Sequence, residues 1–344
     1  MKYTIYDVAK RAGVSISTVS RVINNSAGVK ESKVMAIKEA MEYYDYHPSQ
    51  FGRGLAMQTS GLIGVYSPFL GTTMFSNGYI LECLRGIDKA ICGSGDYSLV
   101  LINEVEAYYK YDDGKPRFWD YVKQNKIDGL IVVSLISDTR LELSLANIIE
   151  EGFPVGYIGQ KFHESGLNVY AQYETYMYSM AEKYYMAGHK KVFALVDKHK
   201  FQTMLSVKAS IEEKYEGLSL TLFVLERASL TVKALMGILE AYIKQEKCTG
   251  IICSGADDAA KAISALKMLN LNIPEDISLM AVEHAVGEGA MLFPQISCYY
   301  VPAMQMGEDI AKKVISTLQE KEVKERSKNI LPKYLDRGSV KILV

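Results

Sequence analysis

The 344 residues suffice for a small module plus one large or two medium domains, and 49% hydrophobic with 23% charged residues describes an ordinary globular chain. A net charge of −1 does not by itself point to nucleic acid, but division at Ser60 leaves eight Lys/Arg against five Asp/Glu before it and 31 against 35 after it, +3 and −4. Five scattered cysteines, Cys83, Cys92, Cys248, Cys253 and Cys298, argue against a disulfide framework or zinc site, and the lack of an apolar signal core or bilayer-length run makes the expected location cytoplasmic, with no membrane partner.

The first predicted elements lie in TIYDVAKRAGVSISTVSRVIN, residues 4–24. Thr4 followed three residues later by Asp7 is a capping-box-like start, and Ile5, Val8, Ala9 and Ala12 repeat at helical spacing. Gly13 tolerates the left-handed backbone of a tight helix end, and Val14 can fill the corner behind it. Ser15 can cap a second helix whose Val19, Val22 and Ile23 share one face, leaving Ile16, Ser17, Thr18, Ser20 and Arg21 on the others. A helix in the major groove presents its N-terminal residues to base edges, so Ile16 and Ser17 stand where bases would be read. Arg21, one turn on, can fork onto guanine O6 and N7, while Ser15, Thr18, Ser20 and Asn24 suit phosphate oxygens. A capped helical hairpin inside a larger domain is the bland alternative, but the hydroxyl, arginine and asparagine pattern serves no packing purpose.

This stretch resembles, nearly position for position, the headpiece of the LacI/GalR bacterial transcription regulators, and the resemblance continues at lower density to the C-terminus. It implies a dimeric regulator of double-stranded operator DNA, most often a repressor, controlled by a small-molecule domain of periplasmic-binding-protein-like fold. It places Ile16, Ser17 and Arg21 at base-reading positions and Ile5, Tyr6, Ser15, Thr18, Ser20 and Asn24 at backbone-contacting ones.

Val34, Ile37, Met41 and Tyr44 predict a third helix closing a small core over Val8, Val19 and Val22, which completes a helix-turn-helix headpiece over residues 1–47. Where the family places small hydroxyl residues at the start of this helix, the chain has Lys30, Lys33 and Val34, and the lysines can meet phosphates as point charges. His47-Pro48-Ser49 breaks the helix, with Ser49 able to cap the segment from Gln50 to Met57. The resemblance implies that residues 48–59 form a hinge helix on operator DNA, pushing Leu55 between base steps of the minor groove. Gly52 and Gly54 depart from that pattern at about 1 kcal/mol of helix propensity each, so a hinge disordered off DNA is expected, with a passive linker as the alternative.

From residue 60 to 344 the texture becomes α/β. Leu62 to Tyr66, Ser98 to Ile102, Gly129 to Val133 and Val155 to Ile158 read as buried strands, separated by helices over Ile80 to Ile91, Phe118 to Gln124 and Leu141 to Glu150. A second series has strands at Val192 to Val196, Leu220 to Leu225, Gly250 to Cys253 and Ile277 to Val282. Its helices cover Tyr176 to Ala187, Leu205 to Tyr215, Leu230 to Lys244 and Asp257 to Leu269. The fold class is therefore an all-α headpiece followed by an α/β body of two doubly wound lobes. The resemblance adds crossings between lobes near Phe162, Gly289 and Glu320, giving lobe 1 as about 60–161 and 290–320 and lobe 2 as about 162–289 and 321–344. His189, in a helix-to-strand link, reads as an orienting surface histidine rather than a ligand.

The cleft between lobes is the expected effector site. Aligned with the family, the usual Asp-Asn pair becomes Gln172-Tyr173, the usual arginine falls at Val207, and Asn-Asp becomes Gly255-Ala256 with Asp257 one step displaced. Glu283 stands at a late aspartate and Val301 at a usual polar position. Sugar hydroxyls need fixed polar partners, so the expected effector is neither a simple hexose nor a purine. Phe69, Phe75, Gln160, Tyr173, Glu283, His284 and Tyr300 remain as effector-binding candidates, an aromatic-lined pocket with one acidic anchor. The alternative is that these rings are core between the lobes.

One headpiece reads too few base pairs for useful specificity, so a homodimer on a pseudo-palindrome is expected; the resemblance puts its contact mostly on the first lobe. A ligand-binding protein without DNA function is the rival reading. No nucleophile elbow, phosphate-binding glycine loop or metalloprotease motif supports an enzyme, and no cofactor is implied.

Overall fold

A computed structural model describes residues 3–23, 28–47, 59–70, 75, 77–104, 114–133, 139–225 and 230–343. The chain divides into two compact units, one holding Met1–Leu62 with Tyr121–Asp128 and the other Ile63–Asp120 with Gly129–Val344.

In the first unit, helices α1 (Ile5–Ala12), α2 (Ile16–Ile23) and α3 (Glu31–Tyr43) enclose a core of Val8, Ala9, Val19, Ile37 and Ala40. The Asp7 carboxylate accepts from both the N–H and the hydroxyl of Thr4 at 2.8 Å, which holds its pKa below the ordinary carboxylate value. Gly13 ends α1 in the left-handed region at φ 62°, with its N–H returned to the Ala9 carbonyl. Arg11 lies 3.3 Å from the ring centre of Tyr43, and Tyr3 packs tilted against Tyr44 with ring centres 4.4 Å apart, tying the end of α3 to α1. Further on, Asp128 accepts from the N–H groups of Ser60 and Gly61, both at 2.7 Å, and so fixes the chain entering the first strand.

The second unit carries two six-stranded sheets. The first takes β1 (Leu62–Leu70), β2 (Ser98–Glu104), β3 (Gly129–Val133), β4 (Val155–Ile158), β5 (Leu167–Tyr170) and a late β11 (Ser327–Asn329), in the order β11-β5-β4-β3-β1-β2. The second takes β6 (Lys191–Asp197), β7 (Ser219–Leu225), β8 (Gly250–Cys253), β9 (Ser278–Glu283), β10 (Ser297–Tyr300) and β12 (Lys333–Leu335), in the order β12-β10-β9-β8-β6-β7. The pairs from β7 through β10 run parallel, and β12 closes that edge antiparallel. Helices α4 (Gly78–Ser94), α5 (Phe118–Lys123) and α6 (Thr139–Glu150) belong to the first series; α7 (Tyr173–Met186), α8 (Phe201–Lys214), α9 (Val232–Lys244) and α10 (Ala256–Met268) to the second. α11 (Ala303–Leu318) returns to the first lobe, where Gly129 and Gly156 leave room on β3 and β4 for its Ile310 and Val314. Glu308 on α11 accepts from Lys312 and from Lys89 of α4, which pushes its carboxyl down to about 2.

The two doubly wound lobes expected from the alternation are present, but their boundaries need correction. The crossings expected near Phe162, Gly289 and Glu320 fall later, because β5 still pairs in the first sheet, β10 in the second and β11 in the first. Lobe 1 therefore holds β5 and α11, and lobe 2 holds β10. β5 and β10 are four residues each and carry buried Asn168 and Ser297, so neither shows an apolar run. α11 is a further helix beyond those predicted, and its buried Ala303, Met306, Ile310 and Val314 recur at helical spacing. His189 is a second correction, since it is buried rather than on the surface. Its Nε2 faces the Lys341 carbonyl at 3.0 Å and must donate, leaving Nδ1 to accept from the Thr249 hydroxyl at 2.8 Å.

Candidate nucleic-acid interface and ligand cleft

The exposed face of α2 follows from its apolar one. Val19 is fully buried and Val22 and Ile23 pack on the same core, which turns Ile16, Ser17 and Arg21 outward to solvent. The Ser15 hydroxyl caps the helix at the N–H of Thr18 (3.3 Å) and lies 2.8 Å from the hydroxyls of both Ser17 and Thr18. Three hydroxyls thus cluster at the positive end of the helix, a setting suited to phosphate oxygens. Tyr6, Lys30 and Lys33 are exposed, whereas Thr18 and Ser20 are half-buried. Ile5 packs against the core, so what it can offer DNA is its free N–H in the first turn of α1. Asn24, Ser49 and Leu55, with residues 48–58 of the expected hinge, lie outside the described residues.

A second site lies in the body, a cleft of about 170 Å³ at the carboxyl ends of the parallel strands. Lobe 1 supplies Asn77, Tyr79, Gly159 and Ala171; lobe 2 supplies Tyr173, Asp197, Lys200, residues 254–258, His284 and Glu288. The rings of Tyr79 and His284 meet edge to face across the lobes at 4.9 Å. The Lys200 ammonium sits 5.4 Å from the centre of the Tyr173 ring. Burial lowers its pKa, and the Glu174 and Asp197 carboxylates pull it the other way. Asp258 accepts from Ser254 at 2.9 Å, and Glu288 accepts from the His284 N–H at 2.8 Å.

Of the effector candidates read from sequence, Tyr173 and His284 line this cleft. Glu283 is instead fully buried and bonded to Arg337 at 3.0 Å and to the Gly289 N–H at 2.9 Å, a structural ion pair rather than an acidic anchor. Tyr300 and Gln160 do not line the cleft, Phe75 is 51% exposed, and the Phe69 side chain lies outside the described residues. The lining is also more polar than expected, with Asp197, Asp257, Asp258 and Glu288 beside Lys200. These residues follow strand ends or open a helix, so the rule that ligands sit at the carboxyl edge of a parallel sheet could have found them.

A three-helix head with an outward polar helix face, followed in the chain by a two-lobed α/β body with a polar cleft, defines a DNA-binding regulator with an effector-binding domain. Residues 4–49 match the family of bacterial regulatory proteins, lacI family, and residues 181–340 match the periplasmic binding protein-like domain. The headpiece thus matches that of LacI-family bacterial transcription regulators, and the chain is similar along its length to repressors of that family. It is 25% identical to the probable HTH-type transcriptional repressor ExuR of Bacillus subtilis over 99% of both chains. It is 26% identical to the HTH-type transcriptional repressor PurR of Vibrio vulnificus over 98% of both. In fold it is similar to the lac repressor dimer bound to operator and the anti-inducer ONPF, with a TM-score of 0.79, 15% identity and coverage of 99% of this chain and 100% of that one.

Proposed function

We propose that the chain is a homodimeric repressor that binds a pseudo-palindromic operator through α2 of each head and responds to a small polar ligand in the interlobe cleft. The observation that carries this is the division of α2, with Val19 buried beneath it and Ile16, Ser17 and Arg21 facing outward. Ile16 and Ser17 take base edges, Arg21 takes a guanine, and Ser15, Thr18, Ser20, Asn24, Tyr6, Lys30, Lys33 and the Ile5 N–H hold the backbone. Ser49 caps the hinge on DNA and Leu55 acts as its minor-groove wedge, a role supported by the family likeness. In the cleft, Asn77, Asp197 and Lys200 offer donors and acceptors to a ligand and Tyr173 offers a ring face. The spread of carboxylates favours a ligand rich in hydroxyl or amino groups over an apolar one.

Selection of bound duplexes from a random pool at fixed salt tests the reading. The expected product is a pair of related half-sites in inverted repeat, followed by a change in that complex when cleft ligands are screened against it. No enrichment of any sequence over competitor DNA would end the proposal.

A further inference from the structure

Two carboxylates of the interlobe cleft reach it from separate loops. Asp257 follows β8 and Glu288 follows β9, strands that pair in parallel and so end side by side, and both residues line the cleft. One Glu288 oxygen accepts the His284 N–H at 2.8 Å, and the other lies 3.8 Å from where a side chain on Gly78 of α4 would begin, so this carboxylate looks across the cleft to lobe 1. Among the described residues neither Asp257 nor Glu288 forms an ion pair. Lys200 is the one Lys or Arg among the described residues lining the cleft, and the charges that bear on it are those of Glu174 and Asp197. Asp257 and Asp258 also occupy the first turn of α10, so the positive end of that helix is already met by carboxylates and offers little to an anion. Beside them stand the rings of Tyr79, Tyr173 and Tyr176, the last two edge to face at 5.2 Å.

We propose that the ligand of this cleft is a cation, a small amino sugar whose ammonium lies between Asp257 and Glu288. An ammonium carries three donors and no acceptor, which suits two groups that only accept, and the resulting hydrogen bonds are of the strong, charge-assisted kind. A neutral ligand in the same place would take both carboxylates out of water with no opposite charge to offset the loss of hydration. Asn77 and Asp197 remain for the hydroxyls, the Tyr173 ring serves the apolar face of the sugar, and a cleft of about 170 Å³ holds one such body. The inference rests on the ligand-responsive reading of the cleft and narrows it, since that reading holds equally for a neutral ligand.

Calorimetric titration of the full chain with glucosamine, galactosamine and mannosamine, beside their parent hexoses, N-acetyl derivatives and uronates, tests the charge. At least one amino sugar is expected to bind, at least about tenfold tighter than its parent hexose and its N-acetyl derivative. Asp257→Asn and Glu288→Gln should each weaken that binding by about tenfold with a melting profile like that of the wild type. Asp257 is exposed, so Asp257→Asn keeps the test open if Glu288→Gln fails to fold. A hexose or uronate bound as tightly as the amine, an amine affinity unchanged in Asp257→Asn, or no binding of any amino sugar overturns the cationic assignment. The operator reading is judged separately, by whether duplex selection returns inverted half-sites, and none of these titrations alters that result.

Discussion

Arg21 stands on the outer side of α2 one turn beyond Ser17, and no packing requirement holds it there. Its guanidinium geometry suits one guanine per half-site, so Arg21→Ala should relax preference at that base pair by about 1 to 3 kcal/mol and leave other positions unchanged. Binding to a panel of single-base operator variants measures this; a uniform loss across the panel would make Arg21 a phosphate anchor instead. His189 acts on stability rather than on recognition. Burial lowers its pKa, and in the folded chain both ring nitrogens are occupied in the neutral form. As pH falls below the ordinary histidine value of about 6.5, the unfolded chain takes a proton that the folded chain resists. The contribution of His189 is thus fully present above that pH and declines beneath it, so the melting temperature should fall from pH 7.5 to pH 5.5. The decline should be shallower in His189→Gln, and equal slopes in the two proteins would remove His189 as its cause.

Among elements, α4 and α11 approach so closely that a side chain has no room at two glycines. A Cβ on Gly86 would collide with the Met304 carbonyl, and one on Gly307 with the carbonyl of Cys83. The colliding atoms are backbone, so rotamer changes cannot relieve the contact and the helices must separate. Gly307→Ala is therefore expected to cost about 1 to 3 kcal/mol in denaturant unfolding despite alanine's better helix propensity, whereas Gly93→Ala, in open space on the same pair, should cost nothing. Equal midpoints for the two variants would show that the pair can spread freely.

At the scale of the molecule, the cleft draws residues from both lobes and the chain crosses between them after β5, β10 and β11. A ligand there touches both lobes at once, so its affinity depends on how they are set. If the operator-bound state favours one setting, linkage requires that a ligand changing DNA affinity by some factor have its own affinity changed by DNA by the same factor. Calorimetric titration of a screened ligand into the full chain, with and without operator, should return equal factors. A ligand that binds Asp197 and Lys200 yet shows no reciprocal change would be bound without regulating.

The headpiece, the central strands of both lobes and the helices between them were legible in the sequence because their signals are local, whereas the short strands β5, β10, β11 and β12 carry no apolar run to announce them. Capping at Thr4 and Ser15, the stop at Gly13, the spacing of Val8, Val19 and Ile37, and the apolar runs of the central strands each lie within a few residues of what they determine. The lobe boundaries, the lining of the cleft and the roles of Glu283 and His189 were decided only by tertiary structure. Glu283 meets Arg337 54 residues away and His189 meets the Lys341 carbonyl 152 residues away. A carboxylate reads the same in sequence whether it faces a ligand or a buried guanidinium; the partner brought to it by the fold decides which.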